Sequence, residues 1–203
     1  MEPRQIVKVG YDAIAATLPV LPETSEAAQV LPELVQRLPD GAQVLDVGCG
    51  SGEPVARLLS QHFHVTGLDL SMSQLRLARK SVPQAHFVLG DMTNLPFRAG
   101  SFDAICSYYA IIHVPREKHR GLLLDFHRLL RRSGVMLLCL GAGDLEDGID
   151  EDWYGAPMYW SHYDAATNLE ILEACGFKLI WSKMVPDSFD GEAIHLFVVV
   201  EKS

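Results

Sequence analysis

Five short apolar runs, separated by segments with a helical pattern, constrain the fold of this chain more than any other feature. The runs are rich in β-branched residues and lie at 42–48, 63–70, 85–90, 102–109 and 134–141. Helical patterns fill gaps between them at about 52–61, 72–82 and 117–131. Strands that alternate with helices favour a parallel sheet with helices on both faces. The sequence therefore predicts an α/β fold.

Segments before and after this core complete the predicted architecture. Two helices are expected first, at about 4–17 and 26–37, with Pro19 and Pro22 between them. The segment 142–165 is acidic at first and then aromatic, and it is too long for an ordinary connection. We expect it to be an ordered loop over the sheet. A last helix at about 165–175 and an antiparallel pair of strands follow, at about 177–184 and 194–200.

Charge and cysteine content narrow the classes of partner. The net charge is −9, from 17 basic and 26 acidic residues, and the basic residues are scattered. Since nucleic-acid binding needs a basic patch, no nucleic-acid partner is expected. No apolar run approaches the ~20 residues that span a membrane, and the first residues lack the apolar core of a signal peptide, so we expect a cytoplasmic protein without membrane contact. The four cysteines lack metal-ligand spacing and predict no metal site.

The first apolar run ends in a glycine-rich turn, in the stretch "VLDVGCGSGEPVARLL" from Val44 to Leu59. Gly48, Gly50 and Gly52 lie where the strand should turn into a helix. In open parallel sheets, ligands bind beyond the carboxyl ends of the strands. Glycines let a ligand approach the backbone there, and a following helix offers free N–H groups to an anionic group. The turn therefore predicts a binding site.

Three acidic residues define the ligand further. Asp46, Asp69 and Asp91 each end an apolar run, at nearly equal spacing. Acids at three strand ends can contact an ammonium group, a ribose diol and an exocyclic amine. A dinucleotide is the obvious alternative, but the dinucleotide fingerprint needs a small residue where Glu53 stands. The expected ligand has a ribose and no diphosphate.

Four motifs in order, "VLDVGCGSGEPVARLL", "VTGLDLS", "GDMTNLPF" and "FDAICSYYAIIHVP", resemble those of class I S-adenosylmethionine-dependent methyltransferases of the small-molecule type 11/25 branch. The resemblance runs from Tyr11 to about Leu140 and continues more loosely beyond. It implies a Rossmann-like seven-stranded sheet of order 3-2-1-4-5-7-6, with strand 7 antiparallel. It also implies S-adenosylmethionine as cofactor, S-adenosylhomocysteine as product, and no metal.

The resemblance also assigns cofactor contacts. The methionine moiety would lie against Asp46 and the glycine turn, the ribose hydroxyls on Asp69, and the adenine amino group on Asp91. Tyr11 resembles a tyrosine that covers the cofactor carboxylate, although Leu18 stands where the family often has a second aromatic residue. The full expected cofactor set is Tyr11, Asp46, Gly48, Cys49, Gly50, Gly52, Asp69, Leu70, Asp91, Met92 and Tyr108.

Methyl transfer from a sulfonium is an in-line displacement, for which an acidic acceptor also needs a general base, most often histidine. The predicted catalytic residues are His113, His162 and Tyr108. The predicted substrate residues lie mostly in the aromatic segment: Trp153, Tyr154, Tyr159, Trp160, His162 and His195. The aromatic residues could instead only seal the edge of the sheet, and Glu192 could assist an amine acceptor or face solvent.

These features predict methyl transfer to O, N or C of a small molecule. An alternative is a non-catalytic module that binds S-adenosylmethionine or a nucleoside and regulates a partner. A nicotinamide-dependent oxidoreductase is disfavoured by Glu53. We expect one domain of 203 residues with four parts: a helical cap (1–40), a cofactor-binding core (41–141), an aromatic substrate loop (142–165), and a C-terminal helix with a hairpin (166–203). The acceptor and the oligomeric state stay open.

Overall fold

The computed structural model describes residues 1–189 and 193–203. The described helices are α1 (Pro3–Ile14), α2 (Pro32–Val35), α3 (Val55–Leu59), α4 (Met72–Ser81), α5 (His119–Leu129) and α6 (Ala165–Ala174). The described strands are β1 (Gln43–Val47), β2 (His64–Asp69), β3 (His86–Leu89), β4 (Phe102–Ser107), β5 (Leu130–Gly141), β6 (Leu145–Trp153), β7 (Ala156–His162), β8 (Phe177–Pro186) and β9 (Ile194–Lys202). Within these residues, no helix is long and apolar enough to cross a membrane.

Seven strands form one sheet in the order β3-β2-β1-β4-β5-β9-β8. The first five strands of the chain pair in parallel, and β9 runs antiparallel to both of its neighbours. The numerals differ from the predicted 3-2-1-4-5-7-6 because β6 and β7 form a separate two-stranded sheet. Without these two, β8 and β9 are the sixth and seventh strands, and the predicted fold class is confirmed.

Both faces of the sheet are buried, because successive strand residues point to opposite sides. Val44 belongs to the cluster that packs under α2 and α3, whereas the next residue, Leu45, belongs to the cluster under α5 and α6. Phe197 and Val198 divide between the same two clusters. Continuous apolar runs therefore became strands with two buried faces, which is why the sequence pattern located them well.

The aromatic segment differs from its prediction, because it forms a β-ribbon in place of a loop. Strands β6 and β7 pair antiparallel, and Trp153 pairs with Ala156 across a two-residue turn. Both turn residues, Tyr154 and Gly155, have positive φ, at 52° and 92°, as in the turns that favour tight hairpins. The run of acids in β6 concealed this strand, because acidic residues are depleted in strands.

The N-terminal helices are shorter than predicted. Helix α1 ends at Ile14 and not near residue 17. The second predicted helix is split into a 3₁₀ turn over Ala28–Val30 and the short α2, which starts at Pro32. Proline has no backbone N–H to continue a preceding helix, and it suits the first position of a new one.

Gly48 and Gly52 are needed in the turn after β1 for two different reasons. Gly48 has φ +74°, and a Cβ atom there would overlap the Cβ of Ala110 in the segment after β4. Gly52 has φ +79°, and its added Cβ would lie 3.1 Å from Val82 and 3.5 Å from Ala78. The first glycine therefore lets two loops meet, and the second lets the turn pack on α4.

We expect Gly48→Ala to destabilise the protein by about 2–5 kcal/mol, the sum of a left-handed backbone and an overpacked contact. Gly100 is the matched control, because it also has positive φ (+63°) but nothing lies within 4 Å of its added Cβ. Gly100→Ala should cost only about 1–2 kcal/mol, the backbone contribution alone. Urea denaturation of both variants measures the difference, and equal losses would contradict the overlap with Ala110.

Candidate functional site

A cavity of about 1130 Å³ lies at the carboxyl ends of the central strands. Its walls come from the turn after β1, the residues that follow β2, β3 and β4, helix α1, and the ribbon of β6 and β7. It also reaches the β8–β9 hairpin through Asp187 and His195. This position agrees with the general rule for ligand sites in open α/β sheets.

Asp69 links the glycine turn to the start of α4. Its Oδ2 accepts a hydrogen bond from Gly50 N–H at 2.8 Å, and its Oδ1 accepts one from Ser71 N–H at 2.8 Å. Desolvation raises the pKa of this carboxyl, and the backbone hydrogen bonds oppose that rise. Each carboxylate oxygen can accept a second hydrogen bond, so the group is arranged to accept from two neighbouring hydroxyls.

Asp46 is buried at the end of β1, with only 2% of its surface exposed. Its Oδ2 has no hydrogen-bond partner among the described residues. Burial, and then the charge of Asp69, raise the pKa of Asp46 to about 7. A buried carboxylate beside another acid is stabilised by a cationic ligand, and the chemistry of this pair therefore fits a group such as an ammonium.

Asp91 already makes contacts with both of its carboxylate oxygens. Oδ1 accepts hydrogen bonds from the backbone N–H and the hydroxyl of Thr93, each at 2.8 Å. Oδ2 forms an ion pair with Nε of Arg4 at 2.6 Å. Leu70 and Met92 lie in the wall of the same part of the cavity. An amine bound at Asp91 would therefore share this carboxylate with Arg4 of α1.

Only some residues of the glycine turn line the cavity. Gly48, Cys49 and Gly50 line the cavity, and so does Glu53, which is ion-paired with Arg57. Gly52 does not lie in this wall, because it faces α4. The structure therefore gives Gly52 a packing contact with α4 and does not place it beside the other predicted cofactor residues of the turn.

Tyr108 lines the cavity with its ring while its hydroxyl is used elsewhere. The hydroxyl donates a hydrogen bond to the carbonyl of Ala27 at 3.1 Å. Burial raises the pKa of Tyr108 well above its usual value. The ring packs edge-on against Phe197, with 5.1 Å between the centroids. This arrangement suits an apolar wall, and it leaves the hydroxyl occupied, which disfavours a catalytic role for Tyr108 beyond that wall.

His113 is buried, and both of its ring nitrogens have partners. Nδ1 lies 2.7 Å from the carbonyl of Tyr159, and Nε2 lies 2.8 Å from the hydroxyl of Tyr11. Burial lowers the pKa of His113 to about 4, so the ring is neutral near pH 7. With neither nitrogen free for an acceptor, the geometry disfavours the predicted role of His113 as general base.

The imidazole of His162 has a hydrogen-bond partner at Nδ1, and its Nε2 can act as an acceptor. Nδ1 lies 2.7 Å from the carbonyl of Gly143 and must donate to it, because a carbonyl oxygen only accepts. Nε2 of the neutral ring is then an acceptor, in a side chain that lines the cavity. Burial lowers the pKa of His162, which favours this neutral form.

His195 pairs with an acid that the sequence analysis did not single out. Its Nε2 lies 2.9 Å from Oδ2 of Asp187, and its buried Nδ1 has no hydrogen-bond partner among the described residues. The pairing of Pro186 with Ile194 brings Asp187 and His195 together. That register is a long-range property that no local motif reveals. Glu192 lies outside the described residues.

The aromatic residues of the ribbon divide between its two faces. Trp153, Tyr154 and Trp160 line the cavity. Tyr159 does not, because it is the neighbour of Trp160 on a strand and points the other way, where its hydroxyl donates to Asp147. The structure therefore points Tyr159 away from the cavity, which the sequence analysis did not foresee because it expected a loop, where this alternation does not apply.

Across residues 1–189 and 193–203, no group of three or more His, Cys, Asp or Glu side chains is placed to bind a metal ion. The candidate site as a whole consists of two parts. Acids at the ends of β1, β2 and β3 form one part, and aromatic and histidine side chains from the ribbon and the β8–β9 hairpin form the other.

Comparison with known proteins agrees with this geometry. The family model described as "Methyltransferase domain" matches residues 44–134. A demethylmenaquinone methyltransferase from Thermotoga maritima is 33% identical over 131 residues, which cover 63% of this chain and 55% of that protein. A tRNA (carboxymethyluridine(34)-5-O)-methyltransferase from Xenopus tropicalis is 35% identical over 115 residues, 56% of this chain and 18% of that protein.

A solved structure extends the likeness to the whole fold. A SAM-dependent methyltransferase from Methanosarcina mazei aligns with a TM-score of 0.73 at 20% identity, over 84% of this chain and 97% of that one. The chain spans about half the length of the first curated relatives that it matches. Residues 44–134 therefore match a methyltransferase domain, and the sheet order and the strand-end acids agree with the fold and the site of S-adenosylmethionine-dependent methyltransferases of the type 11/25 branch.

Proposed function

We propose that this protein transfers a methyl group from S-adenosylmethionine to a small-molecule acceptor at O, N or C. The observation that carries the proposal is the unpartnered Oδ2 of buried Asp46, close enough to Asp69 for the second charge to raise its pKa. Together the two acids offer an acceptor to an ammonium group and two acceptors to a ribose diol. These are the polar groups of the cofactor that the family uses.

The chain's own residues divide the work of the reaction. S-adenosylmethionine, when bound, supplies an electrophilic methyl group on a sulfonium. Asp46 and Asp69 hold the ammonium and the ribose, and so orient the reacting end. The rings of Tyr108 and Trp160 exclude water from the cavity. Nε2 of His162 accepts the proton of an acidic acceptor, since His113 has no free nitrogen.

The charge around the cavity favours a small acceptor over nucleic acid. Asp150 and Asp152 of the ribbon lie at the wall of the cavity and are exposed. Basic side chains supply most of the affinity for a phosphate backbone, whereas this surface would repel one. The relative named for tRNA therefore does not guide our choice of acceptor, and the relative named for demethylmenaquinone agrees with it.

Two experiments test the function. Calorimetry with S-adenosylhomocysteine should show binding by the purified protein. A metabolite extract incubated with the protein and a labelled methyl donor should then yield a labelled product, identified by mass spectrometry. Absence of binding would overturn the proposal. Binding without any labelled product would favour the non-catalytic nucleoside-binding module.

Asp69→Ala should weaken S-adenosylhomocysteine binding by about tenfold to a hundredfold, the usual value of a hydrogen bond to a charged group. Asp103→Ala is the matched control. Asp103 also accepts a hydrogen bond from a backbone N–H, that of Gln43 at 2.8 Å, but it lies at the opposite end of the sheet. Calorimetry of both variants, with thermal unfolding as a check on folding, compares them. Equal affinities would remove the ribose assignment.

Affinity for S-adenosylhomocysteine should rise with pH up to about 7, the pKa of Asp46, and then level off. Below that pH the ligand's ammonium must displace a proton from the carboxyl, which costs up to about tenfold in affinity per pH unit. The unliganded protein should show the opposite trend. Because the folded pKa is raised from 3.8, ionisation favours the unfolded chain, and stability falls between about pH 4 and 7.

Calorimetry between pH 5 and 8, in buffers of different ionisation enthalpy, measures both the affinity and the proton released. Asp46→Asn is the control, because it keeps the shape of the side chain and cannot titrate. Its affinity should be lower than that of the parent at pH 8 and independent of pH. A parent protein that binds equally well at pH 5 and pH 7 would contradict the ammonium assignment.

His162→Gln should reduce the yield of labelled product by about a hundredfold to ten-thousandfold, the usual contribution of a general base. Binding of S-adenosylhomocysteine should change little, since the proposed cofactor contacts lie on other strands. His64→Gln is the control, because His64 is an exposed histidine in β2. Rates of label incorporation from the same extract compare the three proteins. An unchanged rate in His162→Gln would remove this residue as the base.

A further inference from the structure

We propose that His113 is a positioning residue that couples the helix over the cofactor to the ribbon over the acceptor. The inference rests on the proposed function, since it takes the acid-lined part of the cavity as the cofactor site. It assigns to His113 a role in transmitting cofactor binding to the acceptor wall, in place of the role of general base.

The hydrogen bonds of His113 join two separate elements through one ring. The carbonyl of Tyr159 on β7 only accepts, so Nδ1 carries the ring proton and donates it at 2.7 Å. Nε2 of the neutral ring is then the acceptor for the hydroxyl of Tyr11 on α1, at 2.8 Å. The direction of both hydrogen bonds is therefore determined. In the other tautomer, Nδ1 could not donate to Tyr159 and Nε2 could not accept from Tyr11.

Ring contacts reinforce the link. The ring of His113 lies 4.3 Å from that of Trp160 and 5.4 Å from that of Tyr11, measured between centroids. Trp153 contacts the rings of Tyr11 and Trp160, at 5.7 and 5.4 Å. All four rings line the cavity. A shift of Tyr11 would therefore be felt by both tryptophans of the acceptor wall.

Helix α1 is attached to the cofactor side of the cavity at its two ends. Arg4 pairs with Asp91 after β3, at 2.6 Å. Asp12 accepts hydrogen bonds from the Ser71 hydroxyl at 2.6 Å and from Ser73 N–H at 3.1 Å, at the start of α4. Between these ends the helix packs closely on β7, since a Cβ on Gly10 would lie 2.6 Å from the carbonyl oxygen of Pro157.

These contacts make α1 responsive to whatever binds at the strand ends. A ligand at Asp91 or Asp69 meets Arg4 or Tyr11, which line the same cavity. Displacing Tyr11 would leave the buried Nε2 of His113 without its donor, which is unfavourable in a dry site. The ring must then follow Tyr11 or lose its bond, and Tyr159 carries the movement into the ribbon.

Tryptophan fluorescence tests the coupling without an identified acceptor. Trp181 of β8 is first replaced by Phe, so that Trp153 and Trp160 of the ribbon are the remaining tryptophans. In this parent, titration with S-adenosylhomocysteine should change the fluorescence with the same midpoint that calorimetry gives. In His113→Phe, which keeps an aromatic ring without its hydrogen bonds, most of the fluorescence change at saturating S-adenosylhomocysteine should be lost. The calorimetric affinity should fall less than tenfold.

Two further variants complete the design. Tyr11→Phe removes the hydroxyl from Nε2 while leaving the loop after β4 intact, so it gives an independent result where His113→Phe does not fold. Its fluorescence change should also be reduced. His119→Gln is the control: His119 is equally buried, and its Nε2 bonds the carbonyl of Val114, within its own segment. This variant should respond like the parent.

The outcomes separate the coupling from the proposed function. If S-adenosylhomocysteine does not bind the parent, the proposed function is overturned, and the coupling with it. If it binds without changing the fluorescence of the parent, or if His113→Phe and Tyr11→Phe respond in full, the coupling alone is overturned. Loss of the response in both variants, at S-adenosylhomocysteine concentrations that calorimetry shows to saturate each of them, supports His113 as the link.

Discussion

The carboxylate of Asp69 is the interaction on which the site depends. It accepts hydrogen bonds from the backbone N–H groups of Gly50 and Ser71, and so fixes the turn after β1 against the start of α4. Gly48 N–H and Cys49 N–H meanwhile both reach the carbonyl of Leu68 at the end of β2. The turn is thus held by the neighbouring strand, together with the hydrogen bond from Gly52 N–H to the carbonyl of Cys49 at 2.9 Å within it. Its position next to Asp46 creates a pair of acids whose repulsion and desolvation are relieved by a cation.

Residues of the same type serve different purposes within a few positions of this turn. Gly48 and Gly50 face the cavity, as the proposed cofactor contact requires. Gly48 is also required by its contact with Ala110, and Gly52 by its contact with α4. A glycine motif therefore combines ligand access with loop packing and helix packing. The ligand contact is a reason for only part of the motif, and sequence spacing alone does not separate these reasons.

The sequence predicted the sheet and the acid cluster because their signals are local. Apolar runs become strands buried on two faces, as with Val44 and Leu45, and the carboxyl ends of parallel strands bring Asp46 and Asp69 together. The ribbon was not predicted, because its first strand is acidic. The alternation along a strand, which turns Tyr159 away from the cavity and Trp160 towards it, was therefore not predicted either. The pairing of His113 with Tyr11 depends on a tertiary contact between distant residues, which no local pattern encodes. The pairing of His195 with Asp187 depends on the register of the last two strands, which the sequence analysis paired without assigning a register.

The histidines of the cavity show why hydrogen-bond occupancy decides chemical role more directly than position does. His113, His162 and His195 all line the same cavity. His113 has partners at both nitrogens, and His195 spends Nε2 on Asp187 while its Nδ1 is shielded from solvent. In His162 a hydrogen bond to a backbone carbonyl fixes the proton on Nδ1, and the lone pair of Nε2 can then accept a proton from the methyl acceptor. A neutral base on the ribbon and paired acids on the sheet then divide the cavity by charge. In the function we propose, the acids bind the cationic cofactor, and the base takes the proton that the methyl acceptor loses.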